Sequence, residues 1–556
     1  MKKLIAMLLA MAMVFALVAC GGSNDKPSSN QGAASSGNAS ASTSTPDASN
    51  PSQEDVEKTL TIGLTSDVTP LSSVNPTTET AAWINNIMYP TLVAADVNEA
   101  GELEIVYQLL ESCTTEDNKT FTLKLKDNIY WSDGKKVTAE DVVFAVDCFT
   151  NPDVGSTSMA TFLTMLDGIV DGRKGYREAG TELTAATVVD ELTLNIVCSG
   201  EYDVDFIVNR LCYNLYALPK HVLGEIPAAE LLASDAVFKS DVVYGAFSLH
   251  SFVSASELVL AANENYYQGA PKLDYIRFVF TTAAQITTQL ASGEIDMAWP
   301  GTIDAADYAY VASLENCVTE VGAPNSLVAL FVNNERIPDV NVRKAISLAI
   351  DRQAIVDGIL GGYGEVSNLP VSSTSPYINN AYATPEMNVE LAKQLVADSG
   401  FNTPISITIG TGKTTTQNIA AMLQASLQAI GLTVEIKTSD NAVLDCIFGD
   451  YDLVIITQTE QPLTPSHTLG IAINTGSWCK YETAESVELY GKLMAPTTDE
   501  ELQNVMNRLQ EIVATEYPIV PLYNATSLLA KTNNMTYGGP ASYGMLADIH
   551  LWDVAE

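Results

Sequence analysis

Histidine, cysteine and serine could give this chain a catalytic centre, but their spacing does not assemble one. The four histidines are scattered along the sequence, at His221, His250, His467 and His550. The HExxH pattern of zinc proteases is absent, and so is the GxSxG turn that exposes a serine nucleophile. We therefore predict that the protein is not an enzyme and uses no cofactor or bound metal.

The cysteines also lack the spacing that metal or disulfide-exchange chemistry requires. Seven follow Cys20, and no two of them form a CxxC pair, which excludes zinc-ribbon and thioredoxin-like sites. An odd number leaves at least one unpaired within the chain. We expect most to be small buried hydrophobic residues, and a Cys198–Cys212 pair stays open.

The charge balance bears on possible partners. The chain has 556 residues, with 28 Lys and Arg against 67 Asp and Glu, a net charge of -39. Such an acidic surface repels nucleic acid phosphates and anionic lipid headgroups. We therefore exclude nucleic acid, and any membrane association needs an anchor. The length predicts two or three folding units.

The N-terminus could supply that anchor. Lys2 and Lys3 precede an apolar run over 4–18 that ends near Cys20. This pattern resembles the lipobox of bacterial lipoproteins, which implies a signal peptide over 1–19 and a diacylglycerol on Cys20; an ordinary cleaved signal is the alternative. Two acyl chains would hold the protein stably on the cell membrane, in the periplasm or on the outer face of the envelope.

A polar, low-complexity segment follows the lipobox-like cysteine. Residues 20–57 are rich in Ser, Asn, Ala, Gly and Thr, a composition that buries too little apolar surface to fold. We predict a disordered tether between the membrane and the folded part. At roughly 5–6 Å times the square root of its length, it would span a few tens of ångströms.

Beyond the tether, strand and helix patterns alternate. Phe121–Leu125 and Leu192–Ile196 alternate apolar and polar residues, as half-buried strands do, whereas Gln417–Ile430 carries an amphipathic helical pattern. Alternation of the two element types predicts an α/β architecture with helices packed on sheets.

The chain is organised around the stretch Val332–Gly364. Asp339 and Asp351 each precede an apolar helical pattern and are candidate N-caps, since their carboxylates can accept from backbone N–H groups that lack a helical partner. Glycines at the end stop the second helix. We interpret this stretch as the place where the chain leaves one lobe and starts the other.

Several stretches together resemble one family. They are FTLKLKDNIYWSDGKKVTAEDVVFAV from Phe121, LPKHV from Leu218, Tyr244–Met297 with YGAFSL, NENYYQGAPKLDYI and SGEIDM, the central VNNERIPDVNVRKAISLAIDRQAIV, and YPIVPLY from Tyr517. In this order they resemble the solute-binding proteins of ABC transporters, in the family of oligopeptide-, dipeptide- and nickel-binding proteins.

The resemblance implies a two-lobed α/β fold of the periplasmic-binding-protein type, type II, of the large peptide-binding class. The implied division is lobe I over 58–97, 200–325 and 521–556, an extra subdomain of lobe I over 98–199, and lobe II over 326–520. It also implies a monomer that captures a small solute between the lobes, with an oligopeptide as the favoured ligand. The closed form would then deliver the solute to an ABC permease with its ATPase subunits.

The resemblance also directs attention to the stretch after Tyr451. Many peptide-binding members carry a Trp and an Asp there, and the Asp takes the peptide α-amino group. This chain lacks both, which weakens the peptide assignment. Our candidate ligand contacts are Trp299, Thr457, Gln458, Thr459, Glu460 and Trp478. A solvated loop carboxylate at Glu460 and buried structural tryptophans are the alternatives.

Two other functions stay open at this stage. An anchored hydrolase of extracellular polymer would turn its ligand over, whereas a carrier would return it unchanged. A sensory or adhesive binding lipoprotein would use the same fold without transport, and sequence does not separate the two.

Overall fold

The computed structural model describes residues 57–555 apart from gaps at 69–70, 98–102, 172–174, 239–240, 325, 374, 376, 383–385, 412, 460–465, 475, 495–498 and 542–543. Cys20 and Glu460 therefore lie outside the described residues. Within the described part, no helix combines the length and the apolar composition needed to cross a membrane.

The strands, in chain order, are β1 Thr59–Leu64, β2 Val93–Val97, β3 Leu103–Tyr107, β4 Leu110–Thr115, β5 Thr120–Leu125, β6 Ile169–Asp171, β7 Tyr176–Arg177, β8 Ala186–Val188, β9 Thr193–Val197, β10 Phe247–Val253, β11 Glu257–Ala262, β12 Tyr275–Phe280, β13 Met297–Ala298, β14 Cys317–Val321, β15 Ser326–Val332, β16 Gly364–Val366, β17 Ile405–Gly410, β18 Val434–Ser439, β19 Leu453–Thr459, β20 Ile519–Ala525, β21 Leu528–Thr532, β22 Met535–Tyr537 and β23 Asp553–Val554.

The α-helices are α1 Glu79–Met88, α2 Ala139–Thr150, α3 Ala160–Leu163, α4 Val204–Ile207, α5 Lys220–Leu223, α6 Ala228–Leu231, α7 Asp235–Phe238, α8 Ala283–Ser292, α9 Ala305–Val311, α10 Val340–Leu348, α11 Arg352–Gly358, α12 Val389–Ser399, α13 Thr414–Ala429, α14 Ala442–Phe448, α15 Ser466–Ile473, α16 Ala484–Met494 and α17 Asp499–Glu516. A π-helical turn covers Val208–Cys212 and a 3-10 turn Ile549–Leu551.

A seven-stranded sheet forms the first layer, in the order β10-β11-β12-β1-β13-β21-β14. Its central strand β1 runs parallel to β12 and β13, whereas β21, from near the C-terminus, joins antiparallel between β13 and β14. Two distant parts of the chain therefore build one sheet. A smaller four-stranded sheet, β4-β5-β9-β8, lies within the predicted subdomain range 98–199.

A six-stranded sheet forms the second layer, in the order β16-β20-β15-β19-β17-β18. Its strand β15 reads SLVALFV and is buried on both faces, as a continuous apolar run indicates. Leu330 packs into a cluster with α10, whereas its neighbour Phe331 packs into a cluster with α17. Helices therefore cover both sides of this sheet, and the predicted α/β architecture is confirmed.

The local predictions for the central stretch are confirmed, but its assigned place in the fold is wrong. Asp339 accepts from Asn341 N at 2.8 Å and caps α10, and Asp351 accepts from Ala354 N at 2.9 Å and caps α11. Both helices, however, lie inside the second layer. The chain has already reached the second sheet by Ser326, where β15 begins, because β15 pairs with β19 and β20.

Two segments, 322–324 and 526–527, lie between the two large sheets. They run side by side, since Gly322 N donates to Ser527 O at 2.8 Å and Ser527 N donates to Ala323 O at 3.2 Å. The predicted return to lobe I at 521 falls inside β20, a strand of the second sheet, so the return comes after Ala525. The rest of the domain division stays a prediction.

Candidate functional site

A cavity of about 350 Å³ lies between the two large sheets. The first sheet contributes the segment after β1, the start of α1 and the turn after β13; the second contributes the ends of β19 and β20 and the start of α13. Ligands of open α/β sheets bind in the crevice beyond the carboxyl ends of strands, which is where most of these segments lie. We take this cavity as the candidate binding site.

Two tryptophans form the apolar wall on the first side. Trp83 of α1 and Trp299 line the cavity, with ring centroids 5.1 Å apart and planes inclined by 52°. Phe278 supports Trp299 from behind at 5.8 Å. The Trp299 backbone N–H donates to Gly63 O at 3.1 Å, which fixes the turn to β1. Aromatic rings held this way offer a stiff, apolar contact surface.

Glu79, the first residue of α1, brings a carboxylate to the same wall. An acidic residue suits a helix N-terminus, where the backbone dipole is positive. Its pKa is raised because the surrounding protein desolvates the charge, and a hydrogen bond from the Thr459 hydroxyl partly offsets this. Glu79 on the first side therefore faces Thr459 of β19 on the second.

A second set of contacts crosses the cleft through Asp304 and the start of α13. Asp304 caps α9 by accepting from Ala306 N at 3.3 Å, and it also accepts from Thr415 N at 3.2 Å and from the Thr415 hydroxyl. Lys413 donates from Nζ to Gly301 O at 3.1 Å. Both links run from the second side to the first, so the cleft is held closed.

Lys413 occupies an unusual position for a cation. It is the N-cap of α13, where Ser, Thr, Asp or Asn is preferred, and its side chain makes no capping bond. Desolvation lowers the pKa of its ammonium group, although nearby Asp304 acts in the opposite direction. A lysine in this place departs from local helix rules, and such departures are expected at functional sites.

The residues predicted from sequence divide into two groups. Trp299, Thr457 and Thr459 line the cavity. Gln458 lies between the two threonines on β19, so alternation along the strand turns its side chain to the opposite face. Trp478 packs its ring 6.2 Å from Phe331, in the apolar cluster on the α17 side of the second sheet. The roles of all these sequence-predicted residues as ligand contacts stay predictions.

Sequence reasoning missed Glu79, Trp83, Asp304 and Lys413. An acidic residue opening a helix, and a tryptophan one turn later, are ordinary features that carry no signal for a cleft. Lys413 did carry one, because a cation at a helix N-cap is unfavourable. That signal becomes visible once the helix start is known.

We expect Asp304→Ala to shift the protein toward an open form. The variant removes the acceptor for Thr415, and hydrogen bonds to charged groups contribute about 1.5–3 kcal/mol each. Small-angle scattering of the ligand-free protein should show a larger radius of gyration, and ligand affinity should fall about tenfold or more. Asp307→Ala, on the same helix α9, is the matched control; unchanged scattering for Asp304→Ala would contradict the prediction.

Comparison with known proteins gives a consistent result. A family model described as bacterial extracellular solute-binding proteins, family 5 Middle, matches residues 104–476. The oligopeptide-binding protein AppA of Bacillus subtilis (strain 168) is 24% identical over 511 residues, which cover 86% of this chain and 88% of that protein.

Two solved structures show the same fold. The oligopeptide-binding protein AppA from Bacillus subtilis, in complex with a nonapeptide, superposes with a TM-score of 0.76 at 21% identity, covering 90% of this chain and 100% of that chain. NikZ from Campylobacter jejuni, in complex with Ni(L-His), also gives a TM-score of 0.76, at 17% identity and with the same coverage. The predicted two-lobed fold class is confirmed.

Proposed function

The chain belongs to the bacterial extracellular solute-binding proteins of family 5, and from that premise we propose that it captures a small solute, expected to be a peptide, between its two lobes and delivers it to the permease and ATPase subunits of an ABC importer. The observation that carries this proposal is the closed cleft itself. Hydrogen bonds between Thr415 and Asp304 and between Lys413 and Gly301 cross it, and it borders a cavity of about 350 Å³.

A cleft of this kind can couple ligand binding to a change of shape. The paired segments 322–324 and 526–527 are suited to act as a hinge, because the two sheets are otherwise separate hydrogen-bonded units. A ligand that contacts both walls favours the closed form by its differential affinity for the two forms. The permease would then distinguish the loaded, closed protein from the empty, open one.

A peptide is the preferred ligand class for two reasons. One relative, which matches 86% of this chain, carries the name oligopeptide-binding protein. The cavity also offers what a peptide needs, namely hydroxyl and charged groups for its polar atoms and an aromatic wall for a side chain. We further propose that the protein works as a monomer, with lobe II over 326–525.

The test is to identify the solute and ask whether it leaves unchanged. Native mass spectrometry of the purified mature chain should detect a bound peptide, and thermal-shift screening of peptides, sugars and metal chelates should give hits among peptides. Roughly micromolar affinity corresponds to about -8 kcal/mol. Hits confined to sugars or chelates would contradict the ligand class, and turnover of the ligand would contradict a carrier. Loss of uptake after gene deletion distinguishes transport from a sensory or adhesive role.

We also propose that Cys20 carries the lipid anchor and that the tether allows the globule to reach the permease. Cys20→Ala is expected to remove the anchor and move nearly all of the protein from the membrane fraction to the soluble extracytoplasmic fraction, because it removes both acyl chains and no helix among the described residues is long and apolar enough to span a membrane. Cys317→Ala, within the folded part, is the control and should stay with the membrane. Retention of Cys20→Ala on the membrane would contradict the proposal.

A further inference from the structure

A short stretch of the first lobe, residues 301–308, contacts the second lobe at several points. It runs into helix α9, which Asp304 caps. Two polar contacts come first along the chain: Gly301 O accepts from Lys413 Nζ at 3.1 Å, and the Asp304 carboxylate accepts from Thr415 N at 3.2 Å. Asp304 is 5% exposed, so the bond to Thr415 is shielded from water.

Apolar contacts follow, and they cross the boundary in both directions. Ala305 packs against the core cluster of the second lobe. In return, Tyr363 of the second lobe packs against the core cluster of the first lobe that contains Tyr308. The centroids of the two tyrosine rings are 5.0 Å apart and the planes are inclined by 83°, which is an edge-to-face contact. Each lobe therefore packs a side chain against the core of the other.

Each of these tyrosines is held in place by its own lobe. Tyr308 is 2% exposed, and its hydroxyl donates to Leu529 O of β21 at 3.5 Å. Tyr363 follows Gly361 and Gly362, whose φ angles of 61° and 87° are ones that other residues rarely adopt. The contact therefore joins two preorganised side chains, and little conformational freedom is lost when it forms.

A bound solute and these contacts act on closure separately. A solute favours the closed form through its differential affinity for the two forms. The contacts of Asp304, Ala305, Tyr308 and Tyr363 join protein groups to each other, so they favour closure whether or not a solute is bound. We call these four residues the latch.

We propose that the latch supplies part of the free energy of closure, so that the ligand-free protein already populates its closed form beside the open one. This inference rests on the proposed function and describes how that function is regulated. The affinity for any solute then depends on the fraction of protein that can close, which residues remote from the solute can set. A weak latch suits a carrier, because a strong one would present closed but empty protein to the permease.

The test uses mature protein freed of endogenous solute by partial unfolding and refolding. Tyr308→Leu removes the ring contact, and Tyr308 is not among the described residues that line the cavity. When small-angle scattering is fitted with open and closed forms, we expect the ratio of open to closed protein to rise about fivefold, the typical contribution of an aromatic pair. Tyr310→Leu, on the same helix but 54% exposed, is the matched control and should scatter as the parent protein does.

Hydrogen exchange measures the same equilibrium at one atom. Because Thr415 N–H donates to Asp304 across the cleft, it exchanges with solvent when the cleft opens. We expect partial protection in the ligand-free parent and faster exchange in Tyr308→Leu, with unchanged rates for the amides of β1 inside the first sheet. Equal acceleration of Thr415 and β1 would assign the effect to global unfolding and would overturn the role of Tyr308 in the latch.

Tyr363→Leu removes the same contact from the other lobe and keeps the inference testable if Tyr308→Leu folds poorly. If the two rings act as one contact, the double variant should be no more open than either single variant. Additive opening would mean that the tyrosines act separately, which contradicts a latch built on their contact.

The results also separate this inference from the carrier function beneath it. If the ligand-free parent scatters as an open form and neither tyrosine substitution changes it, the inference is wrong and the carrier function stands. If the peptides, sugars and metal chelates of the solute screen also leave the scattering and the Thr415 exchange unchanged, the lobes do not move, and the proposed mechanism of capture falls as well.

Discussion

Gly245→Ala is expected to destabilise the protein by about 3 kcal/mol and to abolish most ligand binding. A Cβ added at Gly245 would lie 2.7 Å from the Met88 carbonyl oxygen and closer still to that of Ile87. Both oxygens belong to the last turn of α1, which cannot yield as a flexible side chain would. Because α1 also carries Glu79 and Trp83, its displacement would disturb the cavity wall.

The bonds around Gly245 explain why so little room exists. Its N–H donates to Met88 O at 2.9 Å, and its carbonyl accepts from Asn263 Nδ2 at 2.9 Å. The neighbouring Tyr244 hydroxyl donates to Pro90 O and accepts from Ala217 N at 3.2 Å. The YGAFSL and NEN stretches thus hold the C-terminal end of α1 against the start of β10 by hydrogen bonds. Glycine at position 245 allows the two backbones to approach this closely, because it has no Cβ.

Gly358→Ala is the matched control for this prediction. Gly358 ends α11, and a Cβ there would meet no atom within 4 Å. Since glycine in a helix costs about 0.5–1 kcal/mol relative to alanine, this variant should be neutral or slightly stabilising. Urea unfolding and hydrogen exchange of α1 measure the effect. Equal stability of the two alanine variants would contradict the prediction, since it would show that α1 moves away from position 245 at little cost in free energy.

Local patterns were sufficient for the elements that depend on near neighbours. The alternation of Phe121–Leu125 predicted β5, and the amphipathic pattern of Gln417–Ile430 predicted α13 to within a few residues. Thr138 and Asp141, three residues apart, form a capping box at the start of α2. Each of these features is decided within one or two turns of chain, so the sequence alone contains the information.

The cavity depends on contacts that no local pattern records. Glu79 reaches Thr459, and Asp304 reaches Thr415, only after two separate sheets have formed and approached each other. The lobe boundary was missed for the same reason, because β20 reads as a strand in either sheet and its pairing with β15 decides the matter. The tryptophans behaved differently from each other, and sequence offered no way to separate Trp299 in the cavity from Trp478 in the core.

Arg352→Met is expected to destabilise the second lobe by about 3 kcal/mol. Arg352 is 3% exposed, and its hydrogen bonds go to neutral groups: Nε donates to Pro521 O at 2.7 Å, and the two terminal nitrogens donate to Ser347 O at 3.1 Å and Ser347 Oγ at 2.9 Å. Burial lowers the pKa of its guanidinium to about 10.

The expected loss comes from the acceptors that methionine would leave behind. Pro521 lies in β20, and Ser347 lies in the last turn of α10, where a cation is favourable at the negative end of the helix. A hydrogen bond from a charged donor contributes about 1.5–3 kcal/mol, and the loss of those to Pro521 and Ser347 is expected to exceed the relief gained by removing a desolvated charge. Because β20 also carries Tyr523 into the cavity wall, affinity should fall with stability.

Arg277→Met provides the control, since that arginine is 45% exposed and pairs with Glu257 at the surface; a surface pair contributes about 0–1 kcal/mol. Urea unfolding gives the free energy, and hydrogen exchange should show the loss of protection concentrated in β20 and α10. An Arg352→Met protein as stable as the Arg277→Met control would mean that the desolvation cost of the buried charge equals what its hydrogen bonds return. In that case the arginine would act in specifying how β20 docks on α10, and exchange in those two elements would still rise.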